Sequence, residues 1–199
     1  MYGGLYREAF LIIKNQVHIS DPIEANLPAS GGVFVTYPKV GSDEAIVQVK
    51  THVKNRSTKK QGIVVNQELW EGNKMVASLL SKKSEIEAGG DVEDVSSLIV
   101  AQPKLWSPRS PSLYLLKTKI LKNGKVIDEI QTRIGIRHFE ITREGFFING
   151  EKMQLRGVNR HQDYPYIGYA LSNEAQYRDA RKIKEAGFDY IRLSHYPHA

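Results

Sequence analysis

From Gly32 to about Ile141 apolar and polar residues alternate with a period of two, which places successive side chains on opposite faces of a sheet. Val47, Val49, Thr51 and Val53 share one face, while Gln48, Lys50, His52 and Lys54 share the other. A strand of this kind has one buried and one wet side, as antiparallel sheets commonly do. The pattern predicts further strands at 33–37, 63–70, 74–80, 97–102, 113–121 and 125–133, with a hairpin turn at Asn123-Gly124, where both residues tolerate positive φ. About seven short strands in roughly 110 residues predict an immunoglobulin-like antiparallel β-sandwich, so the chain is mainly β. The Pro-rich stretch Leu105-Trp106-Ser107-Pro108-Arg109-Ser110-Pro111 interrupts the sandwich as a loop, with Trp106 as a packing anchor.

Beyond Ile141 the periodicity changes. Phe146-Phe147-Ile148 leads into a second turn signal, Asn149-Gly150, and 153–158 reads as a strand. Ser172 or Asn173 caps a helix whose Tyr177, Ala180 and Ile183 recur at helical spacing and whose end is marked by Gly187. A strand at 189–193 follows at once. A strand, helix and strand of this length form a parallel β-α-β unit. One such unit leaves most of its apolar faces uncovered, so residues from about 147 onward are expected to be mobile or covered by a second copy of the chain, as in a homodimer formed through the exposed segment.

Of 199 residues, 41% are hydrophobic and 25% charged, the composition of a globular protein. The formal charge of +6 calls for a test of nucleic-acid binding. Its densest group, Lys50, Lys54, Arg56, Lys59 and Lys60, falls in and beside a strand and suggests a solvated edge or face. No recognition motif accompanies it, and we expect no nucleic-acid partner. The absence of cysteine excludes disulfides, thiolate metal sites and cysteine nucleophiles. The run Ala9–Ile13 is far shorter than the ~20 residues that cross a bilayer and lacks a signal-peptide layout, so no membrane partner is expected. The compartment, cytoplasmic or periplasmic, stays open.

Two stretches fall near the ends of the two parallel strands, Gly157-Val158-Asn159-Arg160-His161-Gln162-Asp163 and Arg192-Leu193-Ser194-His195-Tyr196-Pro197. In a (β/α)8 barrel, side chains at that end of each strand converge on the active site. With Phe147-Ile148-Asn149-Gly150 these stretches resemble the opening of the catalytic barrel of glycoside hydrolase family 2, in its β-galactosidase branch. The resemblance covers nearly the whole chain. Gly3-Gly4-Leu5-Tyr6-Arg7 resembles the last strand of that family's jelly-roll sugar-binding domain, and Leu105-Trp106-Ser107-Pro108 and Ile134-Gly135-Ile136-Arg137 resemble parts of its immunoglobulin-like domain. It implies three parts: 1–16 as a final jelly-roll strand, 17–140 as the sandwich, and 141–199 as the start of an incomplete TIM barrel. Asn159-Arg160-His161 is closer to galactosidases than to glucuronidases, which usually carry Lys before the His. The sequence departs from the galactosidase pattern at Gln162, Asp189 and Leu193.

The resemblance implies that His161 and His195 contact a sugar and stabilise the transition state, and that Arg192 orients a nucleophilic carboxylate. Both roles suit the side chains: an imidazole donates to hydroxyls, and a guanidinium holds a carboxylate ionised and aimed. Read without the family, the same residues are a loop histidine, a strand-end histidine and a barrel ion-pair arginine. His18, His52 and His138 read as surface or sheet residues. Retaining hydrolysis needs two carboxylates about 5–5.5 Å apart. The family supplies them as Glu from later strands, and neither Asp163 nor Glu174 falls in its catalytic motif. The expectation is therefore a segment of a retaining exo-β-glycosidase acting on terminal β-galactosides, inactive by itself, with no cofactor, no catalytic carboxylate and no metal site of its own. A β-glucuronidase-branch segment and a stand-alone sandwich serving binding or adhesion are the alternatives.

Overall fold

The computed structural model describes residues 4, 5, 7–193, 195, 196 and 198. Contacts divide it into two compact units: one comprises 13–140 with 148–151, the other the remaining described residues. In chain order the larger unit holds β1 (Val17–Ile19), α1 (Pro22–Ala25), β2 (Val33–Val40), β3 (Glu44–Asn55), β4 (Gln61–Glu71), β5 (Lys74–Leu80), β6 (Ser84–Ile86), β7 (Asp91–Ala101), β8 (Tyr114–Lys122) and β9 (Lys125–Ile134). A meander of β10 (Phe139–Thr142), β11 (Gly145–Ile148) and β12 (Glu151–Met153) follows, then β13 (Gly157–Arg160), α2 (Asn173–Glu185) and β14 (Tyr190–Leu193).

The larger unit is an antiparallel sandwich. In one sheet β3 carries β7 along one edge, and β2 and β1 end to end along the other. In the second, β4 carries β8 and then β9 on one side, with β5 and β6 end to end on the other. Among the described residues the sandwich therefore has nine strands in a four-stranded and a five-stranded sheet, where periodicity gives about seven. β1 and β6 have three residues each, too few to show alternation. β7 starts six residues before its predicted start, because Asp91, Glu93 and Asp94 mask the apolar pattern of its first half. The segment α1 also escapes periodicity; it is set by Asp21, whose carboxylate caps Ile23 and Glu24, and by Pro22 at the first position.

The alternation of β3 does decide the core. Val47, Val49, Thr51 and Val53 are fully buried. The interior is two apolar clusters, one including Val47, Val49, Leu69, Leu98, Leu116 and Ile136, the other including Ile19, Val53, Ile63, Val65, Ile86 and Ile120. Each such side chain contributes roughly 1.5–3 kcal/mol on burial. The inner faces also hold a buried polar bridge that joins the sheets: Gln67 on β4 donates to Thr51 on β3 (2.9 Å) and accepts from Thr118 on β8 (2.7 Å).

Both predicted hairpin turns form, with positive φ at Asn123 and Gly124 and at Asn149 and Gly150. Asn149 ties its turn down: its side chain accepts from His138 N (2.9 Å) and donates to Trp106 O (3.0 Å). Trp106 is a packing anchor. Its backbone bonds Ile136 O at 2.8 Å, Arg137 lies 5.0 Å over its ring, and its side chain leaves no room for a Cβ at Gly135.

Two expectations are corrected. The strand read over 153–158 is two strands, because β12 ends at Met153 and β13 starts at Gly157. The pairing with β14 sets that start: Gly157 opposes Tyr190, whose ring leaves no space for a side chain there. His52, on the outer face of β3, is only 3% exposed, because it is held between Ser20 (2.8 Å) and Asp91 (2.6 Å). The basic group reads as a face rather than an edge, since β3 is paired on both sides. Four of its five cations are paired: Lys50 with Glu93, Lys54 and Arg56 with Glu24, and Lys60 with Glu87.

Residues 4, 5 and 7–16 contain no strand; Gly3 and Tyr6 of the quoted jelly-roll motif, and Ser194 and Pro197 of the C-terminal one, lie outside the described residues. Among the described residues no helix is long and apolar enough to cross a membrane.

Candidate functional site

The smaller unit brings the two sequence motifs together. β13 and β14 pair in parallel from Gly157↔Tyr190 to Arg160↔Leu193, so their C-terminal ends lie side by side. The helix between them begins at Ser172, whose hydroxyl accepts from Ala175 N at 3.3 Å, and ends before Gly187 at φ +84°. Glu174 belongs to that start. Its carboxyl is held below the usual value first by its own backbone N–H and then by the Ser172 hydroxyl.

His161 follows β13 and His195 follows β14, both exposed, with ring centroids 5.9 Å apart. Arg192 lies on β14 opposite Asn159, also exposed. Tyr196 is the third member: its ring centroid is 5.8 Å from that of His161, and its hydroxyl lies 3.5 Å from His161 Nδ1 while accepting from Gln162 N at 3.1 Å. Tyr196 stacks on Tyr169 (4.7 Å) and on His198 (4.9 Å, 3° between planes). His198 Nδ1 accepts from Arg160 (3.3 Å), and Arg160 also donates to Asp179 on α2 (2.8 Å). The Tyr164–Gly168 loop, bridged at its ends, is tied to α2 by Arg178 donating to the Tyr164 hydroxyl at 3.0 Å.

The sequence named His161, Arg192 and His195, and gave no role to Tyr196, Tyr169 or Asp179. Tyr196 stands inside a quoted motif, which was the available signal; Tyr169 and Asp179 carry none, because their part depends on a loop and a helix folding back. The departures from the galactosidase pattern also find places. Gln162 is buried and accepts from Gln176 of α2 at 3.3 Å, and Asp189, before β14, accepts twice from Arg156 (3.0 and 3.1 Å). Both brace the fold. Leu193 is exposed at the end of β14.

Among the described residues no group of three or more His, Asp or Glu side chains could hold a metal ion. In the sandwich, Ser20, His52 and Asp91 share the residue types of a hydrolytic triad, but the Ser20 hydroxyl is buried and already accepts from Gly32 N at 2.9 Å. No substrate carbonyl can reach it, and the string is a structural staple. His18, half-buried, bonds Asn15 O, and the exposed His138 bonds Glu140.

The sequence profile of Glycosyl hydrolases family 2 matches residues 18–137, and that of the family's TIM barrel domain matches 139–199. The chain belongs to glycosyl hydrolase family 2. Its sandwich is the family's immunoglobulin-like domain, and its parallel pair is the start of the family's barrel. Within the family the chain is similar to a β-glucuronidase of Bacteroides fragilis, 33% identical over 100% of this chain and 28% of the relative. A β-galactosidase of Thermoanaerobacter pseudethanolicus is 31% identical over 100% of this chain and 25% of its own. The crystal structure of a family 2 member from Bacteroides cellulosilyticus superposes with a TM-score of 0.84 at 30% identity, over 94% of this chain and 23% of that one. The chain thus spans about a quarter of the length of these family members.

Proposed function

We propose that this chain supplies the linker sandwich and the first wall of the active site of a retaining exo-β-glycosidase acting on terminal β-galactosides. In this reading His161 and His195 donate to sugar hydroxyls as charge develops, and Arg192 aims a nucleophilic Glu supplied by a later barrel strand. Residues 1–16 would close a jelly-roll domain. The observation that carries the reading is the pair of exposed imidazoles 5.9 Å apart beyond two adjacent parallel strands, where barrel enzymes assemble their sites.

One observation favours a second sugar. The family relatives include a β-glucuronidase as similar as the β-galactosidase, and Arg160, the residue closest to galactosidases, is engaged with Asp179. A glucuronide is therefore the alternative substrate. Nitrophenyl β-galactoside and β-glucuronide, offered to the 199-residue chain and to the product of the longer reading frame, test both readings. The chain alone is expected to give no turnover above buffer, and the longer product to cleave the galactoside faster. Turnover by the chain alone, abolished at Asp163 or Glu174, would overturn the proposal; preference for the glucuronide would move it to the other branch.

A further inference from the structure

We propose that Tyr196 is a positioning residue that sets the tautomer of His161, keeping the proton of the neutral imidazole on Nε2 so that this N–H is the donor presented to a ligand hydroxyl. The Tyr196 hydroxyl has one proton to give. Its oxygen already accepts from the backbone N–H of Gln162 at 3.1 Å, a group that can only donate. The phenolic hydrogen is therefore available, and His161 Nδ1, 3.5 Å away at the outer limit of a hydrogen bond, is the acceptor it faces in this group. Donation to Nδ1 requires that nitrogen to be an unprotonated acceptor, which leaves the proton on Nε2. Were Nδ1 to carry the proton, the phenol would have to accept twice and its own hydrogen would have no acceptor in this group.

The phenol is held for the task. Its ring stacks on Tyr169 and on His198, and His198 is fixed by Arg160, itself anchored to Asp179 of α2. The Gln162 amide comes from the residue after His161, so the phenol and the imidazole share one short piece of backbone. Tyr196 does not touch the ligand in this arrangement. It acts through His161, and only the identity of the hydroxyl that Nε2 would meet rests on the glycosidase reading.

Long-range proton–nitrogen correlation spectra of the 199-residue chain, labelled with ¹⁵N at histidine and taken where the imidazole is neutral, read the two tautomers directly. His161 is expected to be mainly the Nε2–H form. In Tyr196→Phe, which keeps the stacked ring, the Nε2–H to Nδ1–H ratio is expected to fall about fivefold, the effect of losing one neutral hydrogen bond. The Gln162 amide should exchange faster in the same variant. A wild-type ring with Nδ1–H in the majority, a wild-type ratio equal to that of free histidine, or a ratio unchanged by Tyr196→Phe overturns the proposal. Should Tyr196→Phe lose hydrogen-exchange protection along α2, Tyr169→Leu replaces it. That variant keeps the phenol but removes one stacking partner; a partial fall in the ratio is expected, and an unchanged ratio counts against the idea. No sugar enters these measurements, so an inactive longer protein would sink the glycosidase reading and leave this result standing.

Discussion

Arg160 donates to Asp179 at 2.8 Å, and this bond ties the arginine of the Asn159-Arg160-His161 motif to helix α2. The two side chains are 11% and 25% exposed, between the regimes of surface and buried pairs. Arg160→Ala is expected to cost about 1–3 kcal/mol and to speed amide exchange along α2 and β13. Arg160→Lys is expected to leave the galactoside-to-glucuronide preference of the longer enzyme unchanged; a reversed preference would show that the residue reaches the sugar.

Gln67 is the one amide that reaches both sheets in the buried polar bridge. Gln67→Ala strands two buried hydroxyls and opens a cavity, so a loss of about 2–4 kcal/mol is expected in chemical denaturation of the chain. Replacing the whole bridge, with Thr51→Val, Gln67→Leu and Thr118→Val together, should recover most of that loss, since matched apolar groups leave nothing unpaired. If the triple variant is no more stable than Gln67→Ala, the bridge contributes more than its hydrogen bonds.

Gly135 meets Trp106 so closely that a Cβ would lie 2.9 Å from three atoms of the tryptophan side chain. Gly135→Ala is expected to destabilise the sandwich by roughly 1–3 kcal/mol through overpacking. Trp106→Ala removes Cγ and Cδ1 but keeps the Cβ, so adding it should relieve part of the strain, giving a coupling measurable in a double-mutant cycle.

The Glu68 carboxylate, 14% exposed, accepts from Lys119 (2.7 Å), Asn66 (3.0 Å) and Trp70 (3.1 Å). Burial works to raise its pKa, but the bonds from Lys119, Trp70 and Asn66, with the Lys119 charge, outweigh it and hold the group below the usual carboxylate value. A pKa lowered in the folded state contributes stability that is complete above the unfolded value, about 4.3, and disappears as the pH falls through the folded one. Glu68→Gln should therefore cost about 1–3 kcal/mol at pH 7 and progressively less in acid. Urea unfolding of both proteins at pH 7, 5 and 3 checks this; a gap that widens in acid would reverse the assignment.

The parallel pair and α2 leave Tyr177, Tyr190 and Leu193 exposed. Such a surface beside strand edges favours pairing with another chain. Light scattering on the isolated 199-residue chain is expected to show self-association that a chain ending at Glu140 lacks, with protease cutting first after about residue 147. A strictly monomeric, protease-resistant chain would mean that the segment packs stably by itself.

The sandwich was legible along the chain because its code is local. Alternation in β3 names Val47, Val49 and Val53 as core, and Asn123-Gly124 and Asn149-Gly150 name their turns, since each depends only on neighbouring residues and their allowed φ. The resemblance carried by two short motifs likewise marked His161, Arg192 and His195. Other features have no local signature. The burial of His52 follows from Ser20, just after β1, and Asp91, on β7, arriving from 32 and 39 residues away in sequence. The start of β13 follows from its register with β14, and the direction of Arg160 from α2 folding back against its strand. Periodicity states which face a side chain is on. Which atom it meets there is decided by distant residues that only the folded chain brings within bonding distance, and for that reason the pairing of Tyr196 with His161 belonged to the tertiary structure alone.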